Sequence, residues 1–332
     1  MEYTLVTGGL GYIGSHVVLD LINSDRNVII IDNLSNSNTQ VLNNLKKISN
    51  KEILFFNLDI TERDHIKQVF QKYNIDSVIH LAALKSIPDS INNPKLYFHN
   101  NVNGLKSIFD LSQTFGIKCF IFSSTAAIYD KTNKFPVNEK GSISFLNPYA
   151  QTKIQCEKYL RENQHNKDIS VGILRYFNPA ANHSSGLIGD FITSKATNLF
   201  PMILKSIMSK KKIEIFGQDY DTNDGTPIRD FIHVSDLSMA HISSMEYIQK
   251  KGGFYTYNVG TGIGFTVKEI IDTFSKVNSI NLDYKLGDRR KGDIGISYAD
   301  NSKIKNEIGW SAVKTIEEVC FDVYKFFKKN YL

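Results

Sequence analysis

A glycine-rich segment near the start of the chain constrains the fold more than any other feature. Residues 7–16 read TGGLGYIGSH, directly after the strand-like run Tyr3–Thr7 and at the start of a helical pattern over Tyr12–Asn23. Glycines with GxxGxxG and GxGxxG spacing permit a tight turn, close approach of the backbone to a pyrophosphate and close helix packing. A second strand-like run ends at Asp32, eighteen residues after Gly14, where a carboxylate can bind the hydroxyls of an adenosine ribose. The segment therefore predicts a dinucleotide site.

The residues around Asp32 indicate which dinucleotide is bound. A carboxylate at this position repels a 2′-phosphate, and the following residues 33–37, NLSNS, contain no arginine that could hold one. We therefore expect NAD rather than NADP.

Strand-like and helical segments alternate through the first half of the chain. The predicted strands are Tyr3–Thr7, Asn27–Ile31, Ile53–Asn57, Asp76–Leu81, Lys118–Ser123 and Ser170–Tyr176, and examples of the helices between them are Tyr12–Asn23, Glu62–Tyr73, Lys95–Phe115 and Pro148–His165. This alternation is typical of βαβ units. The predicted fold class is α/β, with a Rossmann-type doubly wound parallel sheet and a smaller mixed α/β C-terminal lobe.

The rhythm changes after Pro179, which suggests two domains. We predict an NAD-binding domain at 1–180 and a substrate-binding lobe at 181–332, with segments around 230–260 returning to the first domain. Short strands of the second lobe are expected at Ile213–Phe216, Phe231–Val234 and Tyr255–Val259.

Composition excludes several classes of protein. The 332 residues are 42% apolar and 22% charged, which favours a folded chain with a sizeable core. No apolar run approaches the roughly 18 residues of a membrane span, and the chain enters its first strand without a basic leader, so we expect a cytoplasmic protein without membrane contact. The three cysteines form no close pair, which favours neither disulfides nor a metal site. A net charge of +5 is too diffuse for nucleic acid but suits a small anionic substrate.

A tyrosine and a lysine share one predicted helix face. In the segment 147–153, NPYAQTK, Asn147 caps the helix and Pro148 occupies its first position, which leaves Tyr149 and Lys153 one turn apart. The ammonium can lower the tyrosine pKa from about 10 toward neutrality, where a phenol acts as acid or base. The preceding strand ends in FSST, 122–125, whose hydroxyls can share the proton. These groups together imply hydride transfer at an alcohol or ketone carbon.

These residues resemble the extended short-chain dehydrogenase/reductase family and, within it, the UDP-hexose 4-epimerases. The resemblance covers nearly the whole chain. The segments that carry it are TGGLGYIGSH (7–16), DNLSNS (32–37), HLAALKSIPDS (80–90), NNVNG (100–104), FSSTAAIY (122–129), NPYAQTK (147–153), LRYFNP (174–179), IFGQDYDTNDGTPIRDFIHVSDL (215–237), YNVGTG (257–262) and RRKGD (289–293).

The resemblance implies a role for each matching residue. Tyr149 is the implied catalytic base, Lys153 its pKa partner and Thr125 the hydrogen-bonding hydroxyl. The implied NAD contacts are Gly8, Gly11, Tyr12, Ile13, Gly14, Asp32, Asn33, Ser35, Asn36, Ser37, Asp59, Ile60, Leu81, Ala82, Ala83, Lys85, Asn100, Tyr149, Lys153, Tyr176 and Phe177. The implied UDP-sugar contacts are Lys85, Thr125, Tyr149, Asn178, Asn198, Leu199, Ile215, Phe216, Arg229, Arg290, Asp293 and Ser297. The resemblance also implies no metal, and a homodimer that forms through helices within 95–115 and 148–165.

Four departures from the family pattern affect loops and the sugar pocket. Asp130 replaces a usual glycine, 180–183 reads AANH without one, and 190–197 lacks the usual prolines. Ser297 stands where the family carries either a bulky tyrosine or a small residue. A small side chain leaves room for an N-acetyl group at C2, so we expect UDP-GlcNAc and UDP-GalNAc to be accepted as well as UDP-glucose and UDP-galactose. The alternative is that Ser297 only fills a strand position and a neighbour closes the pocket.

Three other readings compete with a 4-epimerase. A nucleotide-sugar 4,6-dehydratase needs an acid–base pair for water elimination, where this chain has Ala126 and Ala127. A 4-reductase would exchange its cofactor at each turnover and often use NADPH, which Asp32 disfavours. A non-catalytic NAD-binding sensor predicts damage at Tyr149, Lys153 or the arginines, all of which are present. The sequence leaves open whether the pathway is galactose catabolism or polysaccharide synthesis.

Overall fold

The computed structural model describes residues 1–164, 168–192, 198–290 and 293–332. Its strands are β1 (Tyr3–Thr7), β2 (Asn27–Ile31), β3 (Leu54–Phe56), β4 (Ile75–His80), β5 (Cys119–Thr125), β6 (Ser170–Tyr176), β7 (Asn178–Ala180), β8 (Ile213–Phe216), β9 (Ile228–Arg229), β10 (Phe231–His233), β11 (Phe254–Val259), β12 (Phe265–Thr266), β13 (Tyr284–Gly287) and β14 (Ile296–Ser297). Its helices are α1 (Tyr12–Asn23), α2 (Thr39–Ser49), α3 (Arg63–Lys72), α4 (Ile87–Asn92), α5 (Pro94–Tyr97), α6 (Gly104–Thr114), α7 (Pro148–Asn163), α8 (Leu199–Ser209), α9 (Val234–Lys251), α10 (Val267–Asn278), α11 (Ser302–Ile308) and α12 (Ile316–Tyr331). A π-helical segment joins α5 to α6 at Phe98–Asn103, and a 3₁₀ turn follows β5 at Ala126–Ile128.

Seven parallel strands form the central sheet, in the order β11-β6-β5-β4-β1-β2-β3. The order runs outward in both directions from β1 and β4, as in a doubly wound sheet, so the ends of these two strands form the crevice where such folds bind ligands. The predicted Rossmann-type fold is confirmed.

Apolar side chains cover both faces of this sheet. One cluster packs α1, α2 and α9 against it, and the other packs α3, α6 and α7. A strand buried on both faces needs an unbroken apolar run, and Val28–Ile31 in β2 is such a run, fully buried. A third cluster joins α8, α10 and α12 to β8 and β10 beyond the sheet.

The C-terminal region contributes three small sheets and one strand of the large sheet. β10 pairs with β7, β12 and β14 flank β9, and β13 pairs with β8. The predicted strand at 255–259 is present as β11 and pairs with β6 in the central sheet. In the part of the chain that the structure describes, no helix has the length and apolarity to cross a bilayer.

Most predicted elements are confirmed within one or two residues, and the helical segment predicted over Lys95–Phe115 runs from Pro94 to Thr114 but is not α-helical throughout. It is interrupted by the π-helical segment, within which the Asn101 side chain donates to the Leu84 carbonyl oxygen at 3.0 Å and to Thr152 Oγ1 at 3.1 Å. Such segments interrupt helices where side chains are aimed at a functional site. Helix α2 lies between β2 and β3, where the alternation implies a helix but no bounds are predicted, and the predicted end of α7 at His165 lies outside the described residues.

Candidate active site

The glycine turn closes directly on the end of the sheet. Gly8 has φ of +70°, a conformation that suits glycine, and its N–H donates to the Ile31 carbonyl oxygen at 2.8 Å. A Cβ at Gly8 would lie 2.7 Å from the Ala82 nitrogen, and a Cβ at Gly14 would overlap the Gly8 carbonyl oxygen. Helix α1 begins after Gly11. Because Gly11 has no side chain, it cannot cap the N–H groups of the first turn. This shape fits a pyrophosphate.

Asp32 ties the end of β2 to the glycine turn. Its carboxylate accepts hydrogen bonds from the N–H of Leu10 at 3.0 Å, the N–H of Leu34 at 3.0 Å and Ser37 Oγ at 2.7 Å. The carboxylate is buried at the position that the sequence predicts for the adenosine ribose. The donors keep it oriented, which is what recognition of two ribose hydroxyls requires.

The other residues predicted for the adenosine end gather around Asp59. Asn33 Nδ2 donates to Asp59 Oδ2 at 2.8 Å, while the N–H and Oγ1 of Thr61 both donate to Asp59 Oδ1. Although burial acts to raise it, these hydrogen bonds hold the pKa of Asp59 below its ordinary value. Ser35 and Asn36 are exposed on the adjoining loop, and Ile60 is buried against Gly104.

The segment after β4 passes beside the glycine turn. Ala82 lies against Gly8, and the Lys85 ammonium stands 5.7 Å from the centre of the Tyr12 ring. The predicted contact Asn100 donates to Asn101 Oδ1 at 2.9 Å, which in turn accepts from the Leu84 N–H at 2.8 Å. Asn101 thus holds the 82–85 segment. Asn101 belongs to the motif NNVNG, but the spacing of that motif alone does not assign it this role.

Helix α7 presents Tyr149 and Lys153 to the end of β5. Its start is as predicted, because Asn147 Oδ1 accepts from the Ala150 N–H at 2.8 Å and Pro148 occupies the first turn. The Lys153 ammonium donates to the Ser123 carbonyl oxygen at 2.6 Å, and the Thr125 side chain acts to lower the pKa of Tyr149. The structure therefore brings Thr125, Tyr149 and Lys153 together at the carboxyl edge of the sheet.

Burial dominates the protonation of these groups. It raises the pKa of Tyr149 to about 12, with the Thr125 hydrogen bond acting in the opposite direction. It lowers the pKa of Lys153 to about 8, and burial together with the Lys153 charge lowers the pKa of His80 to about 3. The expectation that Lys153 brings the Tyr149 pKa toward neutrality is wrong for the chain's own groups, because desolvation of the phenolate is the largest effect on Tyr149 and raises its pKa.

Three predicted cofactor contacts pack their side chains against other parts of the protein. The Tyr176 hydroxyl hydrogen-bonds His241 Nε2, and both side chains are buried. The Phe177 ring packs on Tyr129 in a small buried cluster. Ile13 packs partly buried against the core cluster that carries α1. Any contact that these residues make with a cofactor is therefore best expected from exposed edges or from the backbone.

The predicted substrate residues line a second group of short strands. Arg229 in β9 donates from Nη1 to the Ile228 carbonyl oxygen and from Nη2 to the Ile294 carbonyl oxygen, each at 2.8 Å, and burial lowers its pKa. Ser297 in β14 is buried and pairs in register with Arg229. Asn178 in β7 donates its N–H to the Asp230 carbonyl oxygen at 2.9 Å.

Arg290 lies over an aromatic ring at the surface. Its guanidinium stands 4.9 Å from the centre of the Phe216 ring and donates to Asp293 Oδ2 at 2.8 Å. The side chain of the neighbouring Ile215 is buried in the third apolar cluster. Asn198 is exposed and precedes Leu199 at the start of α8. Residues 193–197 and 291–292, parts of the 190–197 and RRKGD segments, lie outside the described residues.

The fold, the glycine turn, Asp32 and the Tyr149–Lys153 pair define an NAD-dependent protein of the short-chain dehydrogenase/reductase class. The chain belongs to the family described as GDP-mannose 4,6 dehydratase, whose model matches residues 5–323. It is similar to UDP-glucose 4-epimerase of Bacillus subtilis (strain 168), with 39% identity over 98% of this chain and 97% of that protein.

Solved structures share the whole fold. UDP-glucose 4-epimerase from Stenotrophomonas maltophila, solved with bound NAD and formylated UDP-arabinopyranose, superposes with a TM-score of 0.96 at 34% identity, and 98% of each chain is covered. The UDP-Glc/GlcNAc 4-epimerase from Campylobacter jejuni superposes with a TM-score of 0.87 at 33% identity, covering 99% of this chain and 100% of that one.

Proposed function

We propose that this protein is a UDP-hexose 4-epimerase that interconverts UDP-glucose with UDP-galactose and UDP-GlcNAc with UDP-GalNAc. The observation that carries the proposal is the meeting of Thr125, Tyr149 and Lys153 at the edge of the sheet beside the glycine turn. Relatives with this activity span nearly the whole chain, which supports the same assignment here.

The chain's own groups supply the proton chemistry. The glycine turn and Asp32 would hold NAD, which would supply the hydride acceptor for C4 of the sugar and the hydride donor for its return. Tyr149 receives the proton of the 4-hydroxyl as that carbon becomes a ketone, and it returns the proton when the ketone is reduced. Thr125 acts to lower the pKa of Tyr149, and Lys153, one turn along α7, is assigned the role of the cation that favours the phenolate form.

Inversion at C4 requires the 4-keto sugar to present its other face to the same Tyr149. The protein must therefore bind the UDP tightly and leave the sugar free to rotate about the diphosphate linkage. Arg229 and Arg290 are proposed to hold the diphosphate, because planar guanidinium groups match phosphate oxygens. Proposed partners in this grip are Asn178, Asn198, Leu199 and Phe216.

The residues after Thr125 argue against water elimination, although the matching family model carries the name of a dehydratase. Ala126 is buried and Ala127 is half-buried in the 3₁₀ turn that follows β5. Methyl groups cannot transfer protons, so an acid–base pair for elimination is missing at this turn.

Ser297 is proposed to set the sugar pair. It lies in β14 beside Arg229 and is buried, and its side chain is far smaller than a tyrosine. A small side chain at this position would suit an N-acetyl group at C2. The alternative, in which Ser297 only completes the strand and a neighbour closes the pocket, predicts turnover of the UDP-glucose pair alone.

A side-by-side assay tests this assignment. Purified protein is given UDP-galactose or UDP-GalNAc without added reductant, and the products are separated by chromatography. We expect both 4-epimers to appear and approach equilibrium. A deoxysugar product, or turnover that requires added NADPH, would replace the epimerase with a dehydratase or reductase, and no turnover would favour an NAD-binding sensor.

We further propose that residues 1–180 form the NAD domain, that 181–332 form the UDP-sugar lobe, and that two chains pair through α6 and α7. A surface groove between α5, the π-helical segment and α7 exposes Phe98, His99 and Gln155, and Leu96 beside it is 52% exposed. Sedimentation should show a dimer. The three buried, free cysteines suit the reducing cytoplasm, where we place the enzyme.

A further inference from the structure

We propose that Glu157 is a positioning residue for the epimerase site, where its carboxylate fixes helix α7 against the ends of β5 and β6. The inference rests on the proposed function for its kinetic consequences. Glu157 lies in the interior of the protein and is too far along α7 to be expected in contact with a sugar, so it acts through the residues around it.

Three side chains of α7 grip three consecutive residues of β5. Tyr149, Lys153 and Glu157 follow one another at intervals of four, so they lie on one helix face in successive turns. Tyr149 is paired with Thr125, which acts to lower its pKa. Lys153 donates to the Ser123 carbonyl oxygen, and Glu157 Oε1 accepts from Ser124 Oγ at 2.5 Å. The Glu157 bond sets the position of the other two side chains.

Arg175 completes the anchor from the neighbouring strand. Its Nε donates to Glu157 Oε1 at 3.0 Å and its Nη2 donates to Glu157 Oε2 at 2.7 Å, an arrangement in which a guanidinium fork meets a carboxylate side by side. Only 7% of the Arg175 side chain and 8% of the Glu157 side chain are exposed. One carboxylate therefore joins α7, β5 and β6.

The anchor extends to the far edge of the sheet. Arg175 Nη1 donates to the Tyr129 hydroxyl and to the Glu139 carbonyl oxygen, each at 3.0 Å. The Tyr129 hydroxyl donates in turn to Asn258 Oδ1 in β11 at 2.6 Å. Because the side chains of this hydrogen-bond network all bond one another or the backbone, α7 has little freedom to slide over the sheet.

The charge of Glu157 also bears on Lys153. Burial lowers the pKa of Lys153, and the Glu157 carboxylate one turn away acts to raise it. Removing that negative charge should therefore lower the Lys153 pKa further. The effects of the position and of the charge of the Glu157 carboxylate can be separated. Aspartate keeps the negative charge but is one methylene too short to reach both Ser124 and Arg175.

The test compares four variants of the full-length protein with its NAD. Glu157→Gln removes the charge, Glu157→Asp keeps it, and Ser124→Ala removes one hydrogen bond and leaves the ion pair in place. Glu162→Gln is the matched control, since Glu162 lies on the same helix and pairs with Lys158 at the surface. The measurements are kcat and KM for UDP-galactose, the pH dependence of kcat, NAD content, and amide hydrogen exchange of residues 149–153.

We expect Glu157→Gln and Glu157→Asp to lose kcat by roughly 100-fold and Ser124→Ala by roughly 10-fold, since small misplacements of a catalytic group have effects of that size. KM and NAD content should change by less than about threefold, as the variants leave both binding sites in place. The alkaline limb of kcat should move to lower pH in Glu157→Gln but not in Glu157→Asp. Exchange at 149–153 should quicken in both and stay unchanged in Glu162→Gln.

Full kcat in Glu157→Asp would show that charge alone matters and would overturn the proposal. Unchanged hydrogen exchange at 149–153 in a folded Glu157→Gln would overturn it as well. If Glu157→Gln does not fold, Ser124→Ala tests the proposal instead. A wild-type kcat in Ser124→Ala would then overturn it. A wild-type protein without epimerase activity would remove the proposed function, while the exchange measurement would still test the anchor.

Discussion

Two ion pairs have almost the same shortest distance and very different surroundings. Glu157 and Arg175 meet at 2.7 Å with side chains 8% and 7% exposed, whereas Arg290 and Asp293 meet at 2.8 Å with side chains 47% and 25% exposed. A buried pair is costly to break because it leaves an uncompensated charge, while an exposed pair contributes little and opens easily. The buried Glu157–Arg175 pair suits a part of the site that must stay rigid, and we call this region, with Tyr149 and Lys153, the fixed end. The exposed Arg290–Asp293 pair suits a region in which Arg290 leaves Asp293 to bind the substrate, and we call this region the exposed end.

The largest expected effect is at the fixed end. Tyr149→Phe removes the only hydroxyl that we place as proton acceptor, so kcat should fall by roughly 1,000-fold or more, the scale of general acid–base catalysis. NAD content should stay as in the wild type. Tyr159→Phe is the matched control, because Tyr159 lies on the same helix with its hydroxyl bonded to Asp110. A Tyr149→Phe variant with wild-type kcat would contradict the assigned role.

The two ion pairs can be compared directly through stability. Arg175→Met leaves Glu157 buried without its partner, and the free energy of unfolding should fall by about 3–5 kcal/mol. Arg290→Met breaks the exposed pair and should change it by about 1 kcal/mol or less. Urea unfolding of both variants checks the difference, and equal losses would show that the contrast in burial has no energetic consequence.

The Lys153 ammonium should make the fixed end less stable below pH 8. Burial lowers its pKa from 10.5 to about 8, so both folded and unfolded chains hold the proton below pH 8. Between pH 8 and 10.5 only the unfolded chain holds it, and stability therefore rises with pH in that window. Without NAD, Lys153→Met should raise the free energy of unfolding by about 2–3 kcal/mol at pH 7.

The increase in the free energy of unfolding caused by Lys153→Met should be about half as large at pH 9.5. At that pH part of the wild-type Lys153 is already neutral, so burying its charge costs less. Unfolding of both proteins in urea at the two pH values measures the change. A gain that is the same at both pH values, or a loss at pH 7, would contradict the charge-burial account. The same variant should lose nearly all turnover.

The exposed end should respond through substrate binding alone. Arg290→Met should raise KM for UDP-galactose by roughly 10- to 100-fold, the effect of losing a charged hydrogen bond to phosphate. Arg289→Met is the neighbouring control, since Arg289 bonds Asp219 and should change KM by less than about threefold. Initial-rate kinetics provide both values, and an unchanged KM in Arg290→Met would remove it from the proposed diphosphate grip.

The smallest predicted effect is on sugar choice. Ser297→Tyr fills the proposed N-acetyl space, so kcat/KM for UDP-GalNAc should fall by roughly 10-fold or more relative to UDP-galactose, as expected of a steric pocket. Competition between the two substrates in one reaction measures the ratio directly. A variant that keeps its activity on the acetylated pair would leave Ser297 as a strand residue only.

The fixed end was the more predictable of the two regions because its chemistry follows local spacing. The glycine turn, Asp32, the Asn147 cap and the Tyr149–Lys153 interval each lie within one βα junction or one helix, and the structure has all of them where the sequence places them. The parallel sheet follows from the same alternation of segments.

What the sequence could not predict depends on contacts between distant segments. Arg175 meets Glu157 only because β6 lies beside β5, and the interval of four from Lys153 to Glu157 was the one local signal for it. Desolvation of Tyr149 likewise depends on packing, so its raised pKa cannot be read from the YxxxK spacing. The π-helical segment within the predicted Lys95–Phe115 helix carries Asn101, whose contacts with Leu84 and Thr152 likewise join distant segments.

The most direct test of the proposed mechanism is whether the hydrogen on C4 is retained during turnover in heavy water. UDP-galactose is incubated with the purified protein in D₂O without added reductant, and the sugar protons are followed by NMR. We predict UDP-glucose as the product, with protium retained at C4, because the hydride leaves and returns within one closed site. Deuterium in the sugar ring, or a 4-keto-6-deoxy product, would contradict an epimerase that uses Tyr149 only to move the hydroxyl proton.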